Sequence, residues 1–335
     1  MILKPLSYAY IIAIAEVWRD IGGSPEVEIG ALEPLLWKDG QYRIHDIVKA
    51  LAERNFKISI TTNGQLLDMF AEKLSRAGLS LIRTSWHSTN SLIFREISGG
   101  YGDYERFVRG VIIALESGIK VAFNRILLKG YTDDIPEQIS FVENHRCRLK
   151  LYTLLWTPQN ALTYEQLYQD WQPIIRKSVL PRTLEINRVR NRFGRGRLRF
   201  HLISGGTVEV KIGHILNRNN SPCIECSFKN KCEEMFGDYV RVDPRLFLYF
   251  CYIHRDLGFQ LQEYFGRSNE LKHKIQTILG PARTKSVLST TPLRLTITPF
   301  CNFNCRTPGT KYGWCMEENK SFIYPKIKNT LLNKK

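Results

Sequence analysis

The chemistry in this sequence is concentrated in its eight cysteines: Cys147, Cys223, Cys226, Cys232, Cys251, Cys301, Cys305 and Cys315. Clustered cysteines in a chain of this size bind metal more often than they form disulfides. Cys223, Cys226, Cys232 and Cys251 have the spacing C-x2-C-x5-C-x18-C, which as bare chemistry suits zinc or a 4Fe-4S cluster equally. Cys301, Cys305 and Cys315 read C-x3-C-x9-C. Three thiolates on one loop can hold three irons of a 4Fe-4S cluster and leave the fourth iron open to a ligand. Cys147 stands alone among charged residues and is expected to be structural.

Most of these thiols need strands to carry them. Leu293-Arg294-Leu295-Thr296-Ile297 alternates as a strand and runs directly into Cys301. The first half of the chain alternates helix and strand. After Ser7, a candidate N-cap, apolar residues recur at helical spacing from Tyr8 to Trp18, and Gly22-Gly23 end that helix. Strands are expected at Val27–Gly30, Lys57–Thr62, Leu81–Ser85, Val121–Leu128 and Leu149–Trp156, with helices at His45–Arg54, Phe70–Ala77, Tyr104–Ser117 and Ile135–Asn144. That alternation is the pattern of a parallel α/β sheet or barrel. Polar and special residues gather after the strands, at Glu33, Asn63, Ser85 and His87, where barrel enzymes keep their active sites. Later, helices are expected at Tyr164–Val179 and Leu257–Leu279, with a hairpin over Leu198–Ile212 turning at Gly205-Gly206.

Composition sets the outer limits. The chain has 335 residues, 43% hydrophobic and 11% aromatic, which excludes a disordered chain. The apolar stretch Tyr8–Ala15 is too short to cross a bilayer, which takes ~20 apolar residues, and no cleavage site marks a signal peptide. A cytoplasmic protein is expected. Lysine and arginine exceed aspartate and glutamate by 48 − 32 = 16, a balance that favours anionic partners. Seven arginines fall within Arg182–Arg199. On a strand, Arg188, Arg190, Arg192, Arg195, Arg197 and Arg199 could place several guanidinium groups on one face to fork around phosphate or carboxylate, or form a solvated edge that blocks aggregation. His87 and His254 are either proton donors or ordinary hydrogen-bonding residues.

The strand Leu-Arg-Leu-Thr-Ile-Thr followed by Cys301-Asn-Phe-Asn-Cys305 resembles the radical S-adenosylmethionine (SAM) superfamily, especially the branch with the GTP cyclase of molybdenum-cofactor synthesis and the peptide-modifying maturases. Two departures stand out. The family's C-x3-C-x-aromatic-C would put a third cysteine at 308, where this chain has Pro308; Trp314-Cys315 supplies the aromatic-cysteine pair after an enlarged loop, Arg306–Gly313. A site left with two cysteines is the alternative. The family's first strand also comes last here. Gly30-Ala31-Leu32-Glu33-Pro34 resembles the Gly-Gly-Glu-Pro motif with one residue added, and Thr61-Thr62-Asn63-Gly64, Ser85-Trp86-His87-Ser88 and the strand with Asn124 resemble the loops and strand that follow it.

The resemblance implies a circularly permuted, partial (β/α)6 barrel formed by 1–156 and 285–320, a smaller α+β cysteine-rich auxiliary domain over 157–284, and a basic tail over 321–335. It implies that Cys301, Cys305 and Cys315 hold a 4Fe-4S cluster, and that Gly30, Glu33, Pro34, Asn63, Ser85, His87, Asn124 and Trp314 line SAM. Cys223, Cys226, Cys232 and Cys251 resemble the auxiliary-cluster cysteines of the maturases, which implies a second 4Fe-4S cluster, with structural zinc as the alternative. The implied activity is reductive cleavage of SAM and hydrogen abstraction from an anionic or peptide substrate, such as a peptide, nucleotide or RNA, with ferredoxin or flavodoxin as electron donor. A non-enzymatic, zinc-stabilised nucleic-acid-binding protein is the competing class. If the permutation is real, Leu293–Thr298 must pair in parallel with Val27–Gly30.

Overall fold

A computed structural model describes residues 5–30, 32–156, 160–190, 196–212, 223–228, 240–251, 254–280 and 295–299. The fold is α/β, as the alternation predicts. The strands used below are β1 (Glu26–Ile29), β2 (Lys57–Thr62), β3 (Leu81–Ser85), β4 (Lys120–Leu127), β5 (Arg148–Thr153), β6 (Thr183–Arg190), β7 (Gly196–Leu202), β8 (Thr207–Ile212), β9 (Val240–Val242), β10 (Phe247–Tyr249), β11 (Phe259–Gln260) and β12 (Leu295–Ile297). The helices are α1 (Tyr8–Asp20), α2 (Ile44–Glu53), α3 (Leu67–Arg76), α4 (Ser91–Ile97), α5 (Tyr104–Glu116), α6 (Ile135–Asn144), α7 (Ala161–Leu167) and α8 (Ser268–Leu279). The described residues pack into two compact units. One draws from Met1–Thr62, Phe70–Ile82 and Phe236–Cys315, the other from Asn63–Met69 and Arg83–Met235.

In the first unit the strands lie in the order β11-β10-β9-β12-β1-β2. The expected long-range pairing is present: β12 runs parallel to β1, with Val27 opposite Leu295, Glu28 opposite Thr296 and Ile29 opposite Ile297. β2 flanks β1 on its other side, also in parallel, and β9 flanks β12. The amide of Leu6 donates to the carbonyl of Pro299 (2.7 Å), so the lead-in to α1 is tied to the end of β12. One sheet face is entirely apolar: Val27, Ile29, Ile58, Ile60, Leu295, Ile297, Val240 and Val242 are all fully buried. α1 packs on β12 and α2 on β2. The alternate positions carry Glu28, Ser59, Thr61, Thr296 and Arg241. Strands of a parallel sheet buried on both faces normally read as continuous apolar runs. This strict alternation therefore marks a face reserved for something polar.

α1 follows its sequence signals. The Ser7 hydroxyl accepts the Tyr10 amide, and Ile11, Ile14, Ala15 and Trp18 form its buried stripe. At Gly23 a Cβ would sit 2.4 Å from the Trp18 ring, so contact requires this second glycine, whereas Gly22 makes the turn at φ 87°.

The second unit orders its strands β3-β4-β5-β8-β7-β6. β4, β5 and β8 run parallel, and β7 and β6 continue antiparallel. Its apolar face is aromatic. Trp86 packs on Phe123 (4.7 Å between centroids), Phe141 (5.1 Å) and Phe107 (6.1 Å).

Two expected helices are broken. Tyr164–Val179 divides into α7 and a second helical segment from Gln172, because Tyr168 leaves the helix to bridge Leu128 and Pro173 starts a new turn. Leu257–Leu279 contains β11 and a short 3-10 turn before α8. Gly258 lies where a Cβ would be 2.5 Å from the Leu248 carbonyl, and Gly266 has φ 76°. The hairpin at Gly205-Gly206 forms as expected, and the arginine run includes the additional strand β6.

Candidate functional site

In the first unit the loop after β1 carries Gly30, Glu33 and Pro34. Leu32 adopts φ 51°, a left-handed conformation that a leucine enters at a cost of order 1–3 kcal/mol. The turn brings Glu33 back over β2. Its Oε1 accepts the Thr62 hydroxyl (2.6 Å) and the Leu35 amide (3.1 Å), capping the 3-10 turn Pro34–Leu36. Glu33 is 7% exposed. Beneath it, Trp37 is fully buried and donates its indole N–H to the Leu6 carbonyl (3.0 Å). Gly30 donates its amide to the Ile297 carbonyl (3.1 Å). A Cβ at Gly30 would lie 3.7–3.8 Å from Thr61, Glu28 and Thr296, filling a cradle on the polar face. Glu28, which motif reasoning missed, accepts the Thr61 hydroxyl (2.7 Å) on that face. Its signal in the sequence was an acid flanked by the apolar residues Val27 and Ile29.

In the second unit, Asn63 is exposed and its Oδ1 accepts the Gln65 amide (2.9 Å), an Asx turn completed by Gly64 at φ 83°. Ser85 and His87 follow at the end of β3. The Trp86 amide donates to the Asn124 carbonyl (3.0 Å), which brings the ends of β3 and β4 together. The buried Nδ1 of His87 and the buried Oδ1 of Asn124 have no protein partner. Burial, with the nearby Arg125 charge, pushes the His87 imidazole down to about 4, so it is neutral at pH 7. Ser88 is committed elsewhere: its hydroxyl donates to Asp134 (2.7 Å), which also accepts the Thr89 amide and pairs with Arg125 (2.8 Å). Arg125 is fully buried. Burial alone would raise the Asp134 carboxyl, but Arg125 and these donors hold it below its ordinary value.

The alternate face of β5, β7 and β8 carries a dense charge cluster. Glu209, 2% exposed, has Arg199 at 2.7 Å, Arg148 at 3.6 Å, Arg197 at 3.7 Å and Lys150 at 4.0 Å. Burial and the charges of Arg197, Arg83 and Arg148 drive the Lys150 amine down to about 7 against the opposing pull of Glu209. Lys150 and Glu209 were absent from the sequence-based site. The sole clue was a lysine between Leu149 and Leu151 and a glutamate between Val208 and Val210.

Among the cysteines, Cys223 and Cys226 belong to the second unit and Cys251 to the first. Cys251 sulfur accepts the His254 amide (3.4 Å). Cys147 is buried, and burial pushes its thiol up to about 12, as suits a structural residue. Cys232, Cys301, Cys305, Trp314 and Cys315 lie outside the described residues. Among the described residues no three His, Cys, Asp or Glu side chains gather in a metal-holding group, and no helix is long and apolar enough to cross a membrane.

Residues 3–142 match the Radical SAM superfamily. The chain is 34% identical over 143 residues to a probable GTP 3',8-cyclase of Archaeoglobus fulgidus, covering 42% of this chain and 46% of that protein. It is 31% identical over 210 residues to a probable GTP 3',8-cyclase of Methanosarcina mazei, covering 61% and 58%. It thus spans about half the length of these curated relatives. Among solved structures, SuiB of Streptococcus suis bound to S-adenosylmethionine aligns over 44% of this chain and 34% of that one, with TM-score 0.39 and 22% identity. The peptide-bound anSMEcpe aligns over 85% and 84%, with TM-score 0.42 and 12% identity. The segment that matches the Radical SAM superfamily, residues 3–142, contains the Gly30–Pro34 loop and the β3 and β4 strand ends, and over that segment the chain is similar to this superfamily.

Proposed function

We propose that the chain is a radical SAM enzyme in which Cys301, Cys305 and Cys315 hold a 4Fe-4S cluster. The observation supporting this most directly is the register of β12 on β1: the strand that leads into Cys301 lies beside the strand that leads into Gly30–Pro34. The donor sets fit the groups. Three thiols suit iron, a cradle at Gly30 suits a polar ligand such as SAM, and the orphaned buried polar atoms at His87 and Asn124 are each suited to a polar partner. A 4Fe-4S cluster held there would supply the electron for reductive cleavage of SAM and so the means of hydrogen abstraction from the substrate. In this reading Glu33 accepts the methionine amine, Gly30 admits it by lacking a side chain, and Pro34 fixes the turn. Neutral His87 and Asn124 supply a ring nitrogen and an amide oxygen as hydrogen-bond partners. Asn63 and Ser85 border the ligand, and Trp314 belongs to the same cofactor-binding set.

Residues 1–156 with 285–320 form the SAM-binding part of this proposal. Residues 157–284 supply Cys223, Cys226, Cys232 and Cys251 to an auxiliary 4Fe-4S cluster. The substrate is anionic or peptidic, and the GTP 3',8-cyclase names of the relatives favour a nucleotide. Ferredoxin or flavodoxin serves as reductant in the cytoplasm. Anaerobically reconstituted protein should carry about eight irons, absorb near ~400 nm and release 5'-deoxyadenosine from SAM. Stoichiometric zinc with trace iron would refute the reading.

A further inference from the structure

The charge cluster around Glu209 is more than a structural ion pair requires. One bidentate arginine can neutralise a buried carboxylate, and Arg199 already donates to Glu209 Oε1 at 2.7 Å, while the buried Oε2 accepts no hydrogen bond despite the cations crowded around it. Arg148, Arg197 and Lys150 crowd the same carboxylate within 4.0 Å, so each added cation repels the others. Arg83, itself buried, adds to the field at Lys150. The Lys150 side chain is 9% exposed, a costly place for an ammonium beside guanidinium groups. The cations are not sealed in, however. The side chains of Arg148, Arg197 and Arg199 are 39%, 31% and 29% exposed, so their forks reach solvent on the sheet face that also carries Asn124, in register with Lys150. The arginine run therefore divides by strand. Arg197 and Arg199 on β7 turn toward Glu209, whereas Arg188 on β6 is exposed.

We propose that this face of β5, β7 and β8 is an anion receptor that takes a multiply charged phosphate or carboxylate group of the substrate between Lys150, Arg148, Arg197 and Arg199, with Glu209 holding the cations together until it arrives. An incoming anion relieves the mutual repulsion, and the planar guanidinium forks match both oxyanion types. Calling the ligand a substrate rests on the enzyme reading; anion binding at the face does not.

Isothermal titration of the full, anaerobically reconstituted chain at constant ionic strength, with inorganic pyrophosphate in one arm and succinate in the other, tests this. At least one of the two should bind, and whichever binds more tightly identifies phosphate or carboxylate as the recognised group. Arg197→Gln and Lys150→Gln should each weaken it at least tenfold, and Arg188→Gln should leave it within twofold. Glu209→Gln should tighten it severalfold, because it removes the competing negative charge. A purely structural network predicts the opposite for Glu209→Gln, so unchanged or weaker binding by a folded Glu209→Gln protein overturns the proposal. So does the failure of both anions to bind better than chloride. Thermal melts of each variant identify any loss due to unfolding, and the partly exposed Arg197 is the variant least exposed to that problem. Pyrophosphate binding without iron or SAM cleavage would leave this site standing and sink the enzyme reading instead.

Discussion

The two units solve the same problem with opposite chemistry. Each lays parallel strands with one apolar face against helices or aromatic side chains and leaves the alternate positions polar. In the first, those positions are hydroxyls and a carboxylate: Ser59, Thr61, Thr296 and Glu28, with Arg241 at the neighbouring strand. In the second they are Arg148, Lys150, Arg197 and Arg199 around the buried acid Glu209. A hydroxyl and carboxylate face suits a ligand carrying an amine. A guanidinium face suits an oxyanion. The same backbone pattern can therefore serve two ligand chemistries, and only the identity of the alternate residues shows which.

The sharpest way to break this assignment is at the thiols. Cys315→Ala should abolish 5'-deoxyadenosine formation as fully as Cys301→Ala, since two thiolates do not hold the cluster. Anaerobic SAM-cleavage assays with iron counts check it. Persistent cleavage in Cys315→Ala would show that another ligand serves, and that Trp314-Cys315 is not the displaced aromatic-cysteine pair.

Within the second unit, a matched pair contrasts with the crowded one. Arg125 and Asp134 are one cation and one anion, further satisfied by Ser88 and Thr89. Removing one partner of a buried pair costs about 3–5 kcal/mol. Arg125→Met should therefore lower the denaturation midpoint strongly, as urea unfolding would show. A loss below about 1 kcal/mol would mean that water reaches Asp134 and that the pair resembles a surface bridge.

The parallel α/β half was legible because each strand there alternates or ends in a turn signal, as Lys57–Thr62 before Asn63-Gly64 shows. The β12–β1 pairing was legible too, although its partners lie at opposite ends of the chain, because both strands lead into recognisable loops. The breaks after Leu167 and around Gly258 were not. They depend on Tyr168 finding Leu128 and on Gly258 fitting against Leu248, contacts that periodicity does not encode. At the site, Glu33 was readable from its motif. Glu28, Lys150 and Glu209 were hidden because a charge within a strand acquires meaning only from register. Asn63 was readable merely as a turn, and a turn is what its side chain makes.

In the first unit, Glu33→Ala should weaken SAM binding by about tenfold, near 1.4 kcal/mol, and leave iron content unchanged. It should also cost about 1 kcal/mol of stability, because Thr62 and the Leu35 amide lose an acceptor. Equilibrium binding of SAM alongside an iron assay separates the two effects. A stability loss with unchanged SAM affinity would reduce Gly30–Pro34 to a strand-to-helix turn.

The smallest effect has the most specific signature. Lys150 has an amine near 7 in the folded protein against 10.5 as its ordinary value, with Arg83, Arg148, Arg197, Arg199 and Glu209 facing it. Between those pH values the unfolded chain holds a proton that the folded chain has released, so folding stability rises with pH across that window. Below about pH 7 both states are charged, and the cost of burying the ammonium is fully present. Lys150→Met removes that cost and leaves Glu209 with its arginines. The variant should melt a few degrees higher than the parent at pH 7, and the gap should close as pH approaches 10. Burial alone would raise the Glu209 carboxyl, but Lys150 and the arginines beside it hold it below its ordinary carboxylate value, so it stays charged throughout this window and does not distort the comparison. Melting curves at several pH values for both proteins give the answer. A gap that stays constant from pH 7 to 10 would mean that Lys150 keeps its proton when folded, and that Glu209 balances the cations around it more fully than the crowding implies.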